Sequence, residues 1–228
     1  MKKVAIFDID GTIFRSSLLL EVTEALVKEG IFSKKVRDIY TKTYEDWSNR
    51  NDSYEKYIAA VVKAFEQNIK GVQHSDFTDI LKKVIIYQKG HVYRYTRELI
   101  KDLKKKKYYI LAISNSPKEI VDEFCKRWGF DKVYGRIYEV NQNNKFTGKT
   151  LYVDLVSDKA KILKRVLKNK NLTLTNSVGV GDSESDIAFL KLVEKPICFN
   201  PNNRLYQHAK LAKWKIVVER KDVIYFID

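Results

Sequence analysis

From about residue 95 onward the chain switches repeatedly between two periodicities, and this alternation limits its fold more than any other feature. Segments 95–106, 117–127, 157–169 and 184–192 space their apolar residues three and four apart, as helices do. Between them lie short apolar runs rich in β-branched and aromatic side chains: Tyr108 to Ile113, Val133 to Val140, Asn176 to Val180 and Ile197 to Phe199. Strands separated by helices of this length predict a mostly parallel sheet with crossover helices on its faces. A further run, Val4-Ala5-Ile6-Phe7, opens the chain and must join the same sheet, because a lone apolar strand would have no other partner.

The stretch from 16 to 88 shows helical periodicity and no strand pattern. Leu18, Leu19, Val22, Leu26 and Val27 make one amphipathic stripe that closes near Gly30, and further helices are expected at 34–48, 53–68 and 76–87. The expected fold class is therefore α/β: a Rossmann-like, mostly parallel sheet built from 1–14 and 90–228, with an all-helical insert at 15–89. With 228 residues, a chain of this kind buries roughly 70% of its unfolded surface, enough for a full core.

Composition excludes several classes. No run of about 18 apolar residues is present, and Met1-Lys2-Lys3 leads into a short strand rather than a secretory leader, so a soluble, cytoplasmic protein with no membrane partner is expected. Cys125 and Cys198 are far apart and lack a CxxC or Cys/His pattern, which argues against a disulfide framework or structural zinc. The net charge is +14, from 43 Lys and Arg against 29 Asp and Glu. Its lysine runs, Lys104 to Lys107 and Lys168-Asn169-Lys170, fall on expected helix faces without an aromatic RNA-binding pattern or a zinc finger. They read as solvated surface, not as a specific nucleic-acid site.

Ligands of open α/β sheets bind outside the carboxyl ends of the strands, so the residues that follow each strand are where chemistry belongs. The first strand ends in Asp8-Ile9-Asp10-Gly11-Thr12. The run Tyr109 to Ile113 ends in Ser114-Asn115-Ser116-Pro117, a hydroxyl and an amide at a helix start, where unpaired N–H groups suit an anion. Val178-Gly179-Val180 ends in Gly181-Asp182-Ser183-Glu184-Ser185-Asp186, which places Asp182 opposite Asp8. Hard oxygen ligands from two such turns are what Mg²⁺ takes, with waters and a substrate phosphate completing its shell. Ser157-Asp158-Lys159 opens a helix whose Ile162, Leu163, Val166 and Leu167 form the buried stripe, and a lysine in a first turn opposes the helix dipole. Taken singly these are also an ordinary turn, an ordinary cap and a surface lysine.

Together, Asp8-x-Asp10-Gly11-Thr12, Ser114, Lys159 and Gly181-Asp182 followed by Asp186 resemble the four motifs of the haloacid dehalogenase (HAD) superfamily, in its phosphoserine-phosphatase-like branch. The helical insert resembles that branch's type 1 cap, and Lys145-Phe146-Thr147-Gly148-Lys149 the hairpin that precedes its lysine motif. The resemblance implies a Mg²⁺-dependent phosphatase acting on a small phosphorylated metabolite. Asp8 would be the nucleophile that forms an aspartyl-phosphate, and Asp10 the acid that becomes a base. Mg²⁺ would be held by Asp8, the Asp10 carbonyl and Asp182, with Asp186 orienting them. Ser114 and Lys159 would grip the phosphoryl oxygens, helped by Gly11, Thr12 and the Asn115 N–H. A phosphotransferase using the same intermediate, or a non-catalytic anion-binding protein on the same scaffold, are the alternatives.

Departures from the branch bear on substrate. Where its phosphoserine phosphatases carry a Glu after the first motif and an Arg in the cap to read the amino acid, an ungapped alignment places Ser17 and Ala59. Phosphoserine is therefore not expected as the main substrate. Arg15 would contact an anionic substrate instead, and Tyr40, Tyr44, Trp47, Tyr54 and Tyr57 either fill the cap core or stack on a ring.

Overall fold

A computed structural model describes residues 1–153, 158–169 and 171–227. Among these, eight strands form one sheet in the order β4-β3-β2-β1-β5-β6-β7-β8. They are β1 Lys2–Phe7, β2 Tyr109–Pro117, β3 Lys132–Val140, β4 Phe146–Leu151, β5 Leu172–Gly181, β6 Lys195–Phe199, β7 Lys215–Arg220 and β8 Val223–Ile227. Every pairing from β3 across to β7 is parallel, and antiparallel β4 and β8 form the two edges. The sequence-based expectation of an α/β, mostly parallel sheet is borne out.

The helices are α1 Leu18–Lys28, α2 Thr41–Ser48, α3 Tyr54–Asn68, α4 His74–Gln88, α5 Arg94–Lys105, α6 Lys118–Lys126, α7 Lys159–Asn169, α8 Ile187–Leu190 and α9 Asn203–Ala212. Side chains alternate across the sheet. Val4, Ile6, Leu111, Ile113 and Cys198 pack with α7, α8 and α9 through Ile162, Leu163, Phe189 and Leu205. Ala5, Phe7, Ile110, Ala112 and Val180 belong to a second layer that takes in Ile100 of α5 and Val121 of α6. That layer continues without a break into Leu26, Val61, Phe65 and Phe77 of α1, α3 and α4, so the helical block shares a core with the sheet.

Three expectations need correction. The helix expected at 34–48 is split into a 3₁₀ turn, Lys34–Ile39, and α2, because Tyr40 leaves helical geometry at φ −121 and ψ −5. The helix expected at 184–192 becomes a 3₁₀ turn, Glu184–Asp186, followed by the single turn of α8. The chain beyond Phe199, for which no elements were expected, adds α9, β7 and β8; Asn202 starts α9 by accepting the Leu205 N–H at 2.9 Å. The expected helix start at Ser157, and Lys170 of the second lysine run, lie outside the described residues. Among the described residues no helix is long and apolar enough to cross a membrane.

Candidate active site

The carboxyl ends of β2, β1 and β5 meet at the centre of the sheet. Asp8 follows β1 directly, and its N–H extends the ladder to the Val180 carbonyl at 2.9 Å, which aims a nearly fully buried carboxylate along the sheet edge. Lys159, in the first turn of α7, places its Nζ 2.5 Å from both Asp8 Oδ1 and Asp186 Oδ1. The other oxygen of Asp186 accepts the N–H groups of Asp182 at 3.0 Å and Ser183 at 3.1 Å. Asp186 thus holds the lysine with one oxygen and shapes the turn that presents Asp182 with the other. That engagement explains why the helix here begins as a 3₁₀ turn.

Two glycines make room for this arrangement. Gly11 sits at φ +76, and a Cβ there would lie 2.0 Å from Asp182 Oδ2. A Cβ on Gly181 would lie 2.5 Å from Asp186 Cγ. The Gly11 position demands glycine twice over, by conformation and by space.

Asp10 is held from three sides. Ser114 Oγ donates to its Oδ2 at 2.6 Å, Ser116 Oγ lies 3.0 Å from both oxygens, and the Leu18 N–H at the start of α1 donates to Oδ1 at 2.6 Å. Ser116 was not singled out as a site residue from the sequence, yet the signal existed: in an extended strand, residues two apart face the same side, so Ser114 and Ser116 point together. Ser116 also accepts the Leu19 N–H at 3.1 Å, tying β2 to α1.

Several expected site residues find partners within the protein. The Gly11 N–H donates to the carbonyls of Phe14 and Ser16, and the Thr12 N–H to that of Ile9. Thr12 Oγ1 is buried without a hydrogen-bond partner. Arg15, expected at the substrate, donates instead to Glu219 Oε1 at 2.9 Å and packs on the Tyr93 ring. Glu219 recruits it because the same carboxylate already closes the start of α5 through the Arg94 and Tyr95 N–H groups.

Burial pushes the Asp8 carboxyl from 3.8 up to about 7; Lys159 opposes the rise, and the charges of Asp186 and Asp10 add to it. Asp10 is also raised by burial, against the hydrogen bonds from Ser114, Leu18 and Ser116. Asp182 stands well above its usual value, through burial and then the neighbouring charges of Asp8 and Asp186. Burial works against the Lys159 ammonium, but Asp186 and Asp8 outweigh it and hold the group above the ordinary lysine range. Oxygens of Asp8, Asp182 and Asp186 lie within 4.8 Å of one another. At that separation each pair of charges repels by about 3 kcal/mol at an effective dielectric near 20. One ammonium cannot balance them, so the donor set, hard oxygens in excess of local positive charge, fits a divalent cation between Asp8 and Asp182.

A pH dependence follows. With its folded pKa raised from 3.8 to about 7, Asp8 binds more protons folded than unfolded across that window, so the cation-free protein loses stability as pH rises through it. A divalent cation competes with those protons. Thermal melts are expected to show a lower Tm near pH 7.5 than near pH 5 without cation, and greater stabilisation by added cation at the higher pH.

A cavity of about 320 Å³ opens over these groups. Asp8, Asp10, Asn115, Ser116, Lys159 and Asp182 line it on one side, together with Ser17, the apolar side chains of Leu19, Ile58, Ala59 and Val62, and Arg136. Ser17 and Ala59 therefore both sit on the wall of this cavity, and Ser17 Oγ is turned to the Leu20 N–H as the cap of α1. A second cavity of about 420 Å³ lies beyond Tyr54 and Glu55, against Tyr44, Trp47, Tyr57 and Tyr93. Most of the expected aromatic cluster thus stands outside the first cavity: Tyr40 and Tyr57 are buried, and Trp47 stacks on Tyr57 at 5.6 Å. Tyr54 alone of the five borders both.

The family model described as haloacid dehalogenase-like hydrolase matches residues 5–191. The histidinol-phosphatase of Neisseria meningitidis serogroup C (strain 8013) is 24% identical over 225 residues, covering 95% of this chain and 99% of that one. The phosphoserine phosphatase of Methanocaldococcus jannaschii is 22% identical over 228 residues, covering 97% and 94%. A solved phosphoserine phosphatase in its apo form shares the fold, with a TM-score of 0.67 at 21% identity over 97% of this chain and 96% of the other.

Proposed function

Because the chain belongs to the haloacid dehalogenase-like hydrolases, we propose that it is a Mg²⁺-dependent phosphatase that hydrolyses a small phosphomonoester through an aspartyl-phosphate on Asp8, with residues 15–89 serving as its cap. One observation carries the reading: Asp8 with Asp10, Lys159 and Asp182, from three separate segments of the sequence, converge at one cavity.

Asp8 attacks phosphorus in line with the ester oxygen. Its carboxylate forms the new P–O bond as the bond to the alcohol breaks, and Lys159, held on one Asp8 oxygen, orients the other. Asp10, whose carboxyl burial raises above its usual range, donates to the departing oxygen and then takes a proton from the water that cleaves the acyl phosphate. Ser114, Ser116 and the α1 N-terminus hold Asp10 in one orientation for both steps. Asp8, Asp182 and the Asp10 carbonyl would hold Mg²⁺, which would supply charge that lets a carboxylate approach a phosphate dianion. Lys159 and the Asn115 N–H hold the phosphoryl oxygens. Asp186 positions Lys159 and Asp182 through its hydrogen bonds.

Purified protein is expected to hydrolyse a generic aryl phosphate with added Mg²⁺, to stop with a chelator and to resume when Mg²⁺ is restored. No turnover across a broad panel of phosphate esters would overturn the reading. Ser17 and Ala59 remove two charge-assisted contacts worth roughly 1.5–3 kcal/mol each. Phosphoserine is therefore expected to show no kcat/KM advantage over simple esters, and finding it the best substrate would refute this account of the wall.

A further inference from the structure

Polar groups at the strand ends, the apolar side chains of Leu19, Ile58, Ala59 and Val62, and Arg136 all line the cavity. Neighbouring strands lie about 4.8 Å apart, so Arg136 on β3, level with Pro117 of β2, stands two strands, about 10 Å, from the strand that carries Asp8. Helix α3 spans the same gap. Its Tyr54, Ile58 and Val62, four residues apart, border the cavity, and Glu66 one turn on accepts from Arg136 NH1 at 3.0 Å. Arg136 itself reaches the cavity wall, whereas Glu66 does not.

We propose that Arg136 reads the far end of the substrate, and that the ester hydrolysed here has an alcohol whose apolar chain ends in a carboxylate. The inference rests on the phosphatase reading for the position of the phosphate. A guanidinium carries five N–H donors in a planar fork, so the bond to Glu66, with the Tyr138 hydroxyl buried alongside, leaves donors for a second carboxylate. Leu19, Ile58, Ala59 and Val62 between the two ends favour methylene groups over polar ones. Among the described residues, an ammonium beside that carboxylate, as in an amino acid, would meet no free acidic partner at this end. Of the acidic groups near this end, Glu66 is taken by Arg136, while Glu55 and Glu184 lie at the other end of the cavity, both accepting from Asn202 Nδ2. Phosphoserine is also too short, since its carboxylate stands only a few bonds from phosphorus.

The test compares pentyl phosphate with its ω-carboxylate in turnover, and the matching non-hydrolysable phosphonates in calorimetric binding with Mg²⁺ present. The ω-carboxylate is expected to be favoured roughly ten- to a hundredfold in both. Arg136→Gln should bring that ratio close to one, and Glu66→Gln, which releases the guanidinium, should raise it. If the pair merely clasps α3 to β3, the two variants will shift the ratio in the same direction or not at all, and the proposal is overturned. Hydrolysis of both esters with no carboxylate preference also overturns it. Carboxylate preference in binding without hydrolysis of either ester leaves the role of Arg136 standing and removes the phosphatase reading.

Discussion

Asp8→Asn is expected to lower kcat on every phosphomonoester by about four orders of magnitude or more, the scale seen when a nucleophile is removed from other covalent enzymes. An amide lacks the anionic oxygen needed to form the acyl phosphate, yet it matches the carboxylate in shape and can still accept from Lys159. Asp8, Asp182 and Asp186 crowd one ammonium. Removing one negative charge should therefore leave the fold intact, with a cation-free Tm equal to or above that of the parent. Single-turnover kinetics beside a thermal melt separates lost chemistry from lost structure. A folded variant that keeps more than about 1% of the parent rate would exclude Asp8 as the nucleophile.

Lys159→Met should act first on stability. It leaves Asp8 and Asp186, with side chains 6% and 0% exposed, buried without their common counter-ion. Breaking a buried pair from one side costs roughly 3–5 kcal/mol, which in a chain of this size lowers Tm by roughly 10 °C. The loss should depend on pH. Asp8 already titrates near 7 with the lysine in place, and without it the carboxyl protonates more readily still, so the penalty shrinks as pH falls below that value. Melts of both proteins near pH 5 and pH 8 decide the matter. Equal stability at the higher pH would mean that Lys159 does not neutralise the cluster.

Much of this site was legible in the residues because it depends on local rules. A buried parallel strand needs a continuous apolar run, and the turn that follows must leave the sheet at its carboxyl edge, so Asp8, Asp10, Ser114 and Asp182 could be placed near one crevice from pattern alone. The helix around Lys159 was legible for the same reason: Ile162, Leu163 and Val166 make one buried face, and the lysine falls in its first turn. The resemblance to the HAD superfamily, carried by those few positions, agrees with the family match over residues 5–191.

Arg15 shows where local pattern stops. Nothing near it in sequence announces Glu219, more than two hundred positions away, which takes its guanidinium because β7 passes the start of α5. The pair of Glu66 with Arg136 was missed on the same ground, since it joins elements that meet only when the helical block folds onto the sheet. The aromatic residues of that block likewise divide between core and cavity wall according to helix packing, which their spacing does not encode.

Residue order was sufficient for the periodicity, the sheet it builds and the placement of carboxylates at the strand ends, because each rests on neighbours a few positions apart. Which carboxylates share Lys159, which pKa values rise, and which arginine borders the cavity over them were settled by packing. Those properties depend on distances between side chains from different strands, and on the exclusion of water once α3 lies over them.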